Sequence, residues 1–474
     1  MSSALNKKYV LCLALILHFC EQTSGGMFMK KIIYLLLLSL WGVTTTGFAA
    51  DAVATQAQNI QEIRLSLDSV WVVMGGILVF FMQAGFALVE SGSVRGKNTV
   101  NVLMKNYMDA CLGGLVFWLL GFGLMFGINT TGWFGASHFA PNHLDDWHWN
   151  LLFFQMMFAA TATTIASGAM AERIHFVAYV VSAAFVSGLI YPVFGSWAWG
   201  SLFEGEGWLK SLGFIDFAGS TVVHSIGGWV ALAGIVVLGP RLGRFGRNGQ
   251  SHYLAGHNVP LVALGGFILW LAWFGFNAAS TVNATVSIGR IALNTHLAAC
   301  AAAVAYMFYA LLRGKAILIR TTINASLGGL VAITAGCATM TPLFAIVTGL
   351  AAGWVVSVVP ILIEKLKLDD VVDAVTVHGF CGAWGTIAAG LFYEASPFNS
   401  QIISIQFLGV IAGFVWGFGV AFVVFKVLEK VLGGLRVSKQ HEQRGLDYTE
   451  HAELSYPEFQ RDVTFETDGM TKRH

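Results

Sequence analysis

The sequence predicts an all-α polytopic membrane protein: eleven transmembrane helices, arranged as a five-plus-five inverted repeat plus one extra helix. Three observations carry that prediction. Hydrophobic residues are 56% of the 474 residues and charged residues only 11%, a balance that would leave a soluble chain with an enormous exposed apolar surface. Long apolar segments recur along the chain between short polar loops. The basic residues of those loops fall mainly on alternate loops, as positive-inside bias requires. Net charge is +1 with no basic stripe, so membrane lipid is an expected partner and nucleic acid is not.

The N-terminus carries two basic and apolar runs. From Met27 the chain reads MFMKKIIYLLLLSLWGVTTTGFAADA. Two lysines, a short apolar run and then small residues are the layout of a secretory signal peptide over 27–52, with cleavage between Ala49 and Ala54. Residues 1–26 hold an earlier run, YVLCLALILHFC after Lys7 and Lys8, shorter than the roughly 20 residues that span a bilayer. They read as an upstream extension, with translation starting at Met27 or Met29.

The transmembrane domain occupies 65–430. Its spans are expected near 70–91, 103–126, 150–170, 176–199, 216–239, 259–277, 291–312, 321–337, 341–363, 373–393 and 404–430. One set of alternate loops holds Arg95, Lys97, Arg173, Arg241, Arg244, Arg247, Arg313, Lys315, Arg320, Lys365 and Lys367; the other holds Arg64, Lys210 and Arg290. This puts the mature N-terminus outside and the C-terminus in the cytoplasm, across a cell (inner) membrane. The polar remainder, 431–474, is a cytoplasmic tail.

Two histidines sit inside segments with almost no other charge: His224 in DFAGSTVVHSIGGW and His378 in DAVTVHGFCGAWG. Ionisable side chains in hydrocarbon are expensive, so each marks a polar path or is a buried histidine satisfied by a neighbour. The two spans run in opposite directions, each from an aspartate, Asp216 or Asp373. Each histidine therefore enters from its own face toward the middle, the pattern of an inverted repeat with a midplane site. Paired glycines such as Gly227 and Gly228 read as packing devices that let backbones approach. The six cysteines show no CxxC spacing, so neither a disulfide framework nor a metal site is expected. No GxSxG, HExxH or phosphate loop occurs, which argues against an enzyme and gives no reason to expect a cofactor.

Five blocks, GFALVESGSVRGKN (85–98), FQMMFAATATTIASGAMAERI (154–174), DFAGSTVVHSIGG (216–228), WFGFNAAS (273–280) and DAVTVHGFCGAWGTIAAGLF (373–392), resemble the ammonium transporter family (Amt/MEP/Rh), closest to its bacterial Amt branch. The resemblance covers about 65–450 and implies a homotrimer that imports ammonium through one path per subunit. It implies substrate binding by Trp199 and Ser280 at the outer mouth, with Asp216 supporting that site from behind. Trp199 is also one of fifteen tryptophans and stands where an aromatic belt is ordinary. The resemblance implies a gate of Phe158 and Phe276, otherwise two of 36 phenylalanines, and a pore lined by His224 and His378. Neutral imidazoles suit such a pore, because one ring nitrogen donates while the other accepts and a shared proton links the pair. Asp109, Glu90 and Asp373 are further intramembrane acids whose partners the sequence does not name.

In the family the tail lies across the cytoplasmic face, couples subunits and helps dock a trimeric PII signalling protein. Arg436, Gly445, Leu446 and Asp447 match its pattern; an unstructured terminus is the plain alternative. An ammonium sensor on the same fold, acting through its tail, is the second functional class, although 431–474 is too short for a kinase or cyclase domain.

Overall fold

The computed structural model describes residues 26–459. The expected upstream extension, and the tail beyond 459, lie outside the described residues. The chain divides into two units, Met1–Leu67 and Asp68–His474. Described residues of the first are helical throughout, within a helix α1 over Gly26–Ser93. That helix includes the expected signal segment 27–52.

The second unit continues α1 from Asp68 and adds α2 (Gly96–Phe126), α3 (Asp146–Ala169), α4 (Phe176–Ala198), α5 (Ser220–Leu238), α6 (Val259–Thr281) and α7 (Ile288–Leu312). There follow α8 (Ile319–Ile333), α9 (Pro342–Lys365), α10 (375–391) and α11 (Ser400–Val431). Ten of the expected spans are helices at nearly their expected places, and the first, 70–91, lies inside the 68-residue α1. Among the described residues, nine helices are long and apolar enough to cross a membrane. The other two are α8, with 15 residues, and α10, a 6-residue π turn running into 11 residues of α-helix. Among the described residues no strand forms, only isolated bridges.

A helix that stops short within hydrocarbon leaves carbonyls without partners, and every such group must be satisfied inside the protein. The structure does this at the end of α8. Asn294 on α7 donates to the carbonyls of Cys337 and Met340, each at 2.9 Å. Ser220, at the start of α5, accepts from Ala335 N–H and donates to the Val331 carbonyl. The Phe217 and Ala218 N–H groups donate to the Ala335 and Thr334 carbonyls. Two short segments thus complete each other's backbone bonding and bring the start of α5 against the end of α8.

Close packing depends on missing side chains at a few points. The decisive one is where α5 crosses α10: a Cβ on Gly228 would stand 2.3 Å from the Gly379 nitrogen. Only glycine at 228 lets these backbones touch, while a Cβ on Gly379 would press on the Trp229 ring at 2.9 Å.

The tail is folded from Leu435 to His451, including two short helices, α12 (Lys439–Arg444) and α13 (Leu446–His451). Asp447 accepts from the Asn101 N–H near the start of α2 and Glu450 from the Phe176 N–H that opens α4, at 2.9 and 3.0 Å. Both carboxylates therefore serve free amide groups at positive helix ends. Arg436 donates to the Leu238 carbonyl at the end of α5 and to Glu442, whose other oxygen accepts from Leu242 N–H. Leu446 N–H donates to the Asn98 side chain. This segment is docked, against the alternative of an unstructured terminus.

Candidate functional site

His224 and His378 occupy equivalent stations, each on a π turn that opens its helix, Ser220–Ser225 and Val375–Phe380. The extra residue of a π turn re-aims the side chains around it, and such turns recur at functional sites. Beyond packing, glycine also shapes the turn: Gly219, at φ 110°, supplies the left-handed residue from which the first π turn starts.

The aspartates prepare these turns in different ways. Both carboxylate oxygens of Asp216 accept backbone N–H groups, from Gly219, Ser220, Thr221 and Val222, at 2.7–3.0 Å. On α10 the corresponding acceptor is Asp370, which takes the Val375 N–H at 2.7 Å. It stands eight residues before His378, as Asp216 stands eight before His224. The expected symmetry partner, Asp373, instead binds the Asn324 amide at 2.9 Å and lies 3.9 Å from Arg320. Its φ of 61° turns the chain into α10, so a left-handed link separates the capping residue from the helix.

With α5 and α10 touching at Gly228 and Gly379, the two imidazoles meet edge to edge. Nδ1 of His224 and Nδ1 of His378 are 3.2 Å apart, both rings buried. A contact of two like nitrogens at this distance requires one proton between them, so one ring donates and the other accepts. His224 Nε2 is buried without a hydrogen-bond partner.

Rings continue from the pair toward Trp199. Phe276 lies 5.2 Å from the His224 ring, and Phe158 stacks on Phe276 at 4.1 Å with 17° between planes. Trp199 meets Phe158 edge-on at 6.3 Å. The Trp199 indole N–H donates to the Asp216 carbonyl at 2.7 Å, and the Ser280 hydroxyl to the Phe276 carbonyl at 2.7 Å. Five of the residues expected as mouth, gate and pore, Trp199, Phe158, Phe276, His224 and His378, therefore lie along one file; Ser280 sits one turn beyond Phe276, and the Asp216 backbone lies behind Trp199. On the other side of the pair, Phe86 approaches His378 at 5.8 Å. There a cavity of about 20 Å³ is lined by His378, Glu90, Asn324, Val377 and Phe86 among others. That is room for roughly one water-sized molecule.

Three residues that the sequence did not single out also take part, Trp273, Thr221 and Thr386, and a fourth, Glu90, gains its partners. Trp273 stacks on His224 at 4.9 Å and donates to Thr334; its place three residues before Phe276, on one helix face, was a signal available in WFGFN. The Thr221 and Thr386 hydroxyls pair at 2.5 Å behind the π turn, which no local pattern announces. Glu90 was noticed without partners; it accepts from the Asn106 amide and the Ser167 hydroxyl.

A model of the Ammonium Transporter Family matches residues 70–456. The chain belongs to this family. It is 42% identical over 468 residues to ammonium transporter Amt2 of Archaeoglobus fulgidus, covering 92% of this chain and 96% of the relative. To a putative ammonium transporter of Synechocystis it is 43% identical over 399 residues, covering 81% and 73%. Among solved structures, a sensor Amt protein aligns with TM-score 0.79 at 41% identity, over 82% of this chain and 100% of the other. Candida albicans Mep2 aligns with TM-score 0.72 at 25% identity, over 84% and 93%. In this family member the five sequence blocks are the segments that meet along the ring file or buttress it.

Proposed function

We propose that this protein imports ammonium across a cell membrane, its path being the file from Trp199 to the cavity beyond His378. The observation that carries the reading is the buried His224–His378 pair, joined Nδ1 to Nδ1 at 3.2 Å at the end of a run of aromatic rings. An ammonium ion sheds water most cheaply over an indole face, so Trp199, with the Ser280 hydroxyl and with Asp216 behind, selects it. Stacked Phe158 and Phe276 make passage of a hydrated ion costly, because charge loses its solvation there. The ion gives up its proton at that gate and ammonia continues along the imidazoles. By the loop bias, the Trp199 mouth faces outward and the tail inward, in an inner membrane. A homotrimer with one path per subunit, and PII docking on the tail face, complete the reading.

Reconstituted liposomes with an internal pH dye and a current measurement test it. His224→Ala with His378→Ala is expected to abolish ammonium-specific flux or to leave an unselective cation leak. Normal ammonium-specific uptake in the double variant would overturn the reading.

A second reading, an ammonium sensor acting through its tail, draws support from the docked segment 435–451 and from likeness to a solved sensor Amt protein. It predicts ammonium-dependent change in tail protection in liposomes that show no flux.

A further inference from the structure

Glu90 is 2% exposed and stands amid other buried polar groups, a placement in hydrocarbon that costs enough to need a reason. Around it, Lys105 is fully buried, with its ammonium donating to the Ser167 carbonyl and lying over the Tyr179 ring. Asp109, also fully buried, accepts from the Tyr179 hydroxyl at 2.6 Å. Among the described residues no cation lies within ion-pairing distance of Glu90. Its Oε2 is held by two neutral donors, Asn106 and Ser167, so the carboxyl is positioned without being neutralised by contact. Glu90 and His378 line the same cavity, and that cavity has room for roughly one water.

We propose that Glu90 is the proton-relay residue at the inner end of the histidine pair, taking the proton that ammonium surrendered and returning it to ammonia in the cavity. The proposal rests on the ammonium reading above. The proton lost by ammonium bonds to His224 Nε2, the ring nitrogen left without a partner. The shared proton then crosses from His224 Nδ1 to His378 Nδ1. The Nε2 proton of His378 leaves through the water of the cavity to the Glu90 carboxylate, which becomes the acid. As ammonia passes, it lifts the proton from His224 Nε2 and leaves it on His378 Nε2 while the shared proton returns, restoring the starting tautomers. On reaching the cavity the ammonia takes the acid's proton: an O–H bond breaks, an N–H bond forms, and the carboxylate is regenerated. One ammonium, and one positive charge, has crossed.

The ratio of charge moved to ammonia taken up isolates this role from a structural one, since a loosened fold alters the rate and not the ratio. In liposomes holding the full chain, Glu90→Gln is expected to lower that ratio by about a hundredfold, the low end of what a positioned proton-transfer group contributes, while ammonia uptake persists. Glu90→Asp, which keeps a carboxyl, is expected to retain the unaltered ratio at a reduced rate. An unaltered ratio in Glu90→Gln, or ammonia uptake without current in the unaltered chain, overturns the relay and leaves the ammonium reading standing. If the unaltered chain moves ammonium in neither form, both readings fall. Should Glu90→Gln abolish uptake altogether, Glu90→Asp decides: a preserved ratio supports the relay and an inactive protein overturns it.

Discussion

At the scale of single residues, the file rests on side chains whose alternatives are chemically close yet functionally different. Trp199 offers an indole face and spends its N–H on the Asp216 carbonyl. Trp199→Leu preserves apolar volume and removes the face, so ammonium should compete against a bulkier amine about 3- to 30-fold less well, the range of one exposed to half-buried cation–π contact. Uptake competition in liposomes measures it, and unchanged competition would remove Trp199 from the mouth. Outside the membrane, Asp369 shows how a charge is kept. Burial would raise its pKa, but the hydrogen bonds and charge of Arg241 outweigh that and hold it at about 2, against 3.8 for an ordinary aspartate. A depressed carboxylate pKa contributes stability that is present above 3.8 and lost as pH falls through about 2. The contribution is about 2 kcal/mol. Melting of the detergent-solubilised protein should therefore fall between pH 4 and 2 by more than it does in Asp369→Asn, and parallel curves would deny the pair this role.

At the scale of elements, the site is made by two interrupted helices rather than by any motif alone. The π turns of α5 and α10 begin from carboxylate caps, Asp216 and Asp370, and the helices touch where Gly228 meets Gly379. Gly228→Ala places a methyl 2.3 Å from a backbone nitrogen, which no side-chain movement relieves. The helices must part, at a cost of about 1–3 kcal/mol, and the Nδ1 to Nδ1 contact lengthens with them. The expected outcome is a protein that still inserts and purifies but transports at least tenfold more slowly, roughly the value of 1.4 kcal/mol on a barrier. Transport at the unaltered rate would show that the imidazole contact is not required.

At the scale of the whole second unit, the tail joins the starts of α2 and α4 to the end of α5 through Asp447, Glu450 and Arg436. Arg436→Ala leaves the Leu238 carbonyl without its donor and Glu442 without its cation, a loss of about 1–3 kcal/mol. Faster hydrogen exchange confined to 435–451 and to the end of α5 should follow. Deleting 436–474 should reduce transport, or inhibition by PII, while the protein stays in the membrane; normal transport that PII still blocks would make the tail a bystander.

Much of this was legible in the sequence for a physical reason: hydrocarbon tolerates so few residue types that composition, apolar runs and loop charge determined the class, the spans and the positions of the two histidines. Five ordered blocks added the family, and with it Trp199, Ser280, Phe158 and Phe276. Tertiary structure decided that Asp370 rather than Asp373 mirrors Asp216: the equal eight-residue spacing stood in the letters, but the left-handed link at Asp373 that separates cap from helix did not. It alone decided that both histidines ride on π turns, since an extra residue per turn is a matter of backbone bonding. The contact of their Nδ1 atoms, the partners of Glu90 and the cavity it shares with His378 join residues on different helices, from 16 positions apart to hundreds. Such contacts are set by which helices can approach, and that is settled by packing and by the demand that every buried polar group find a partner.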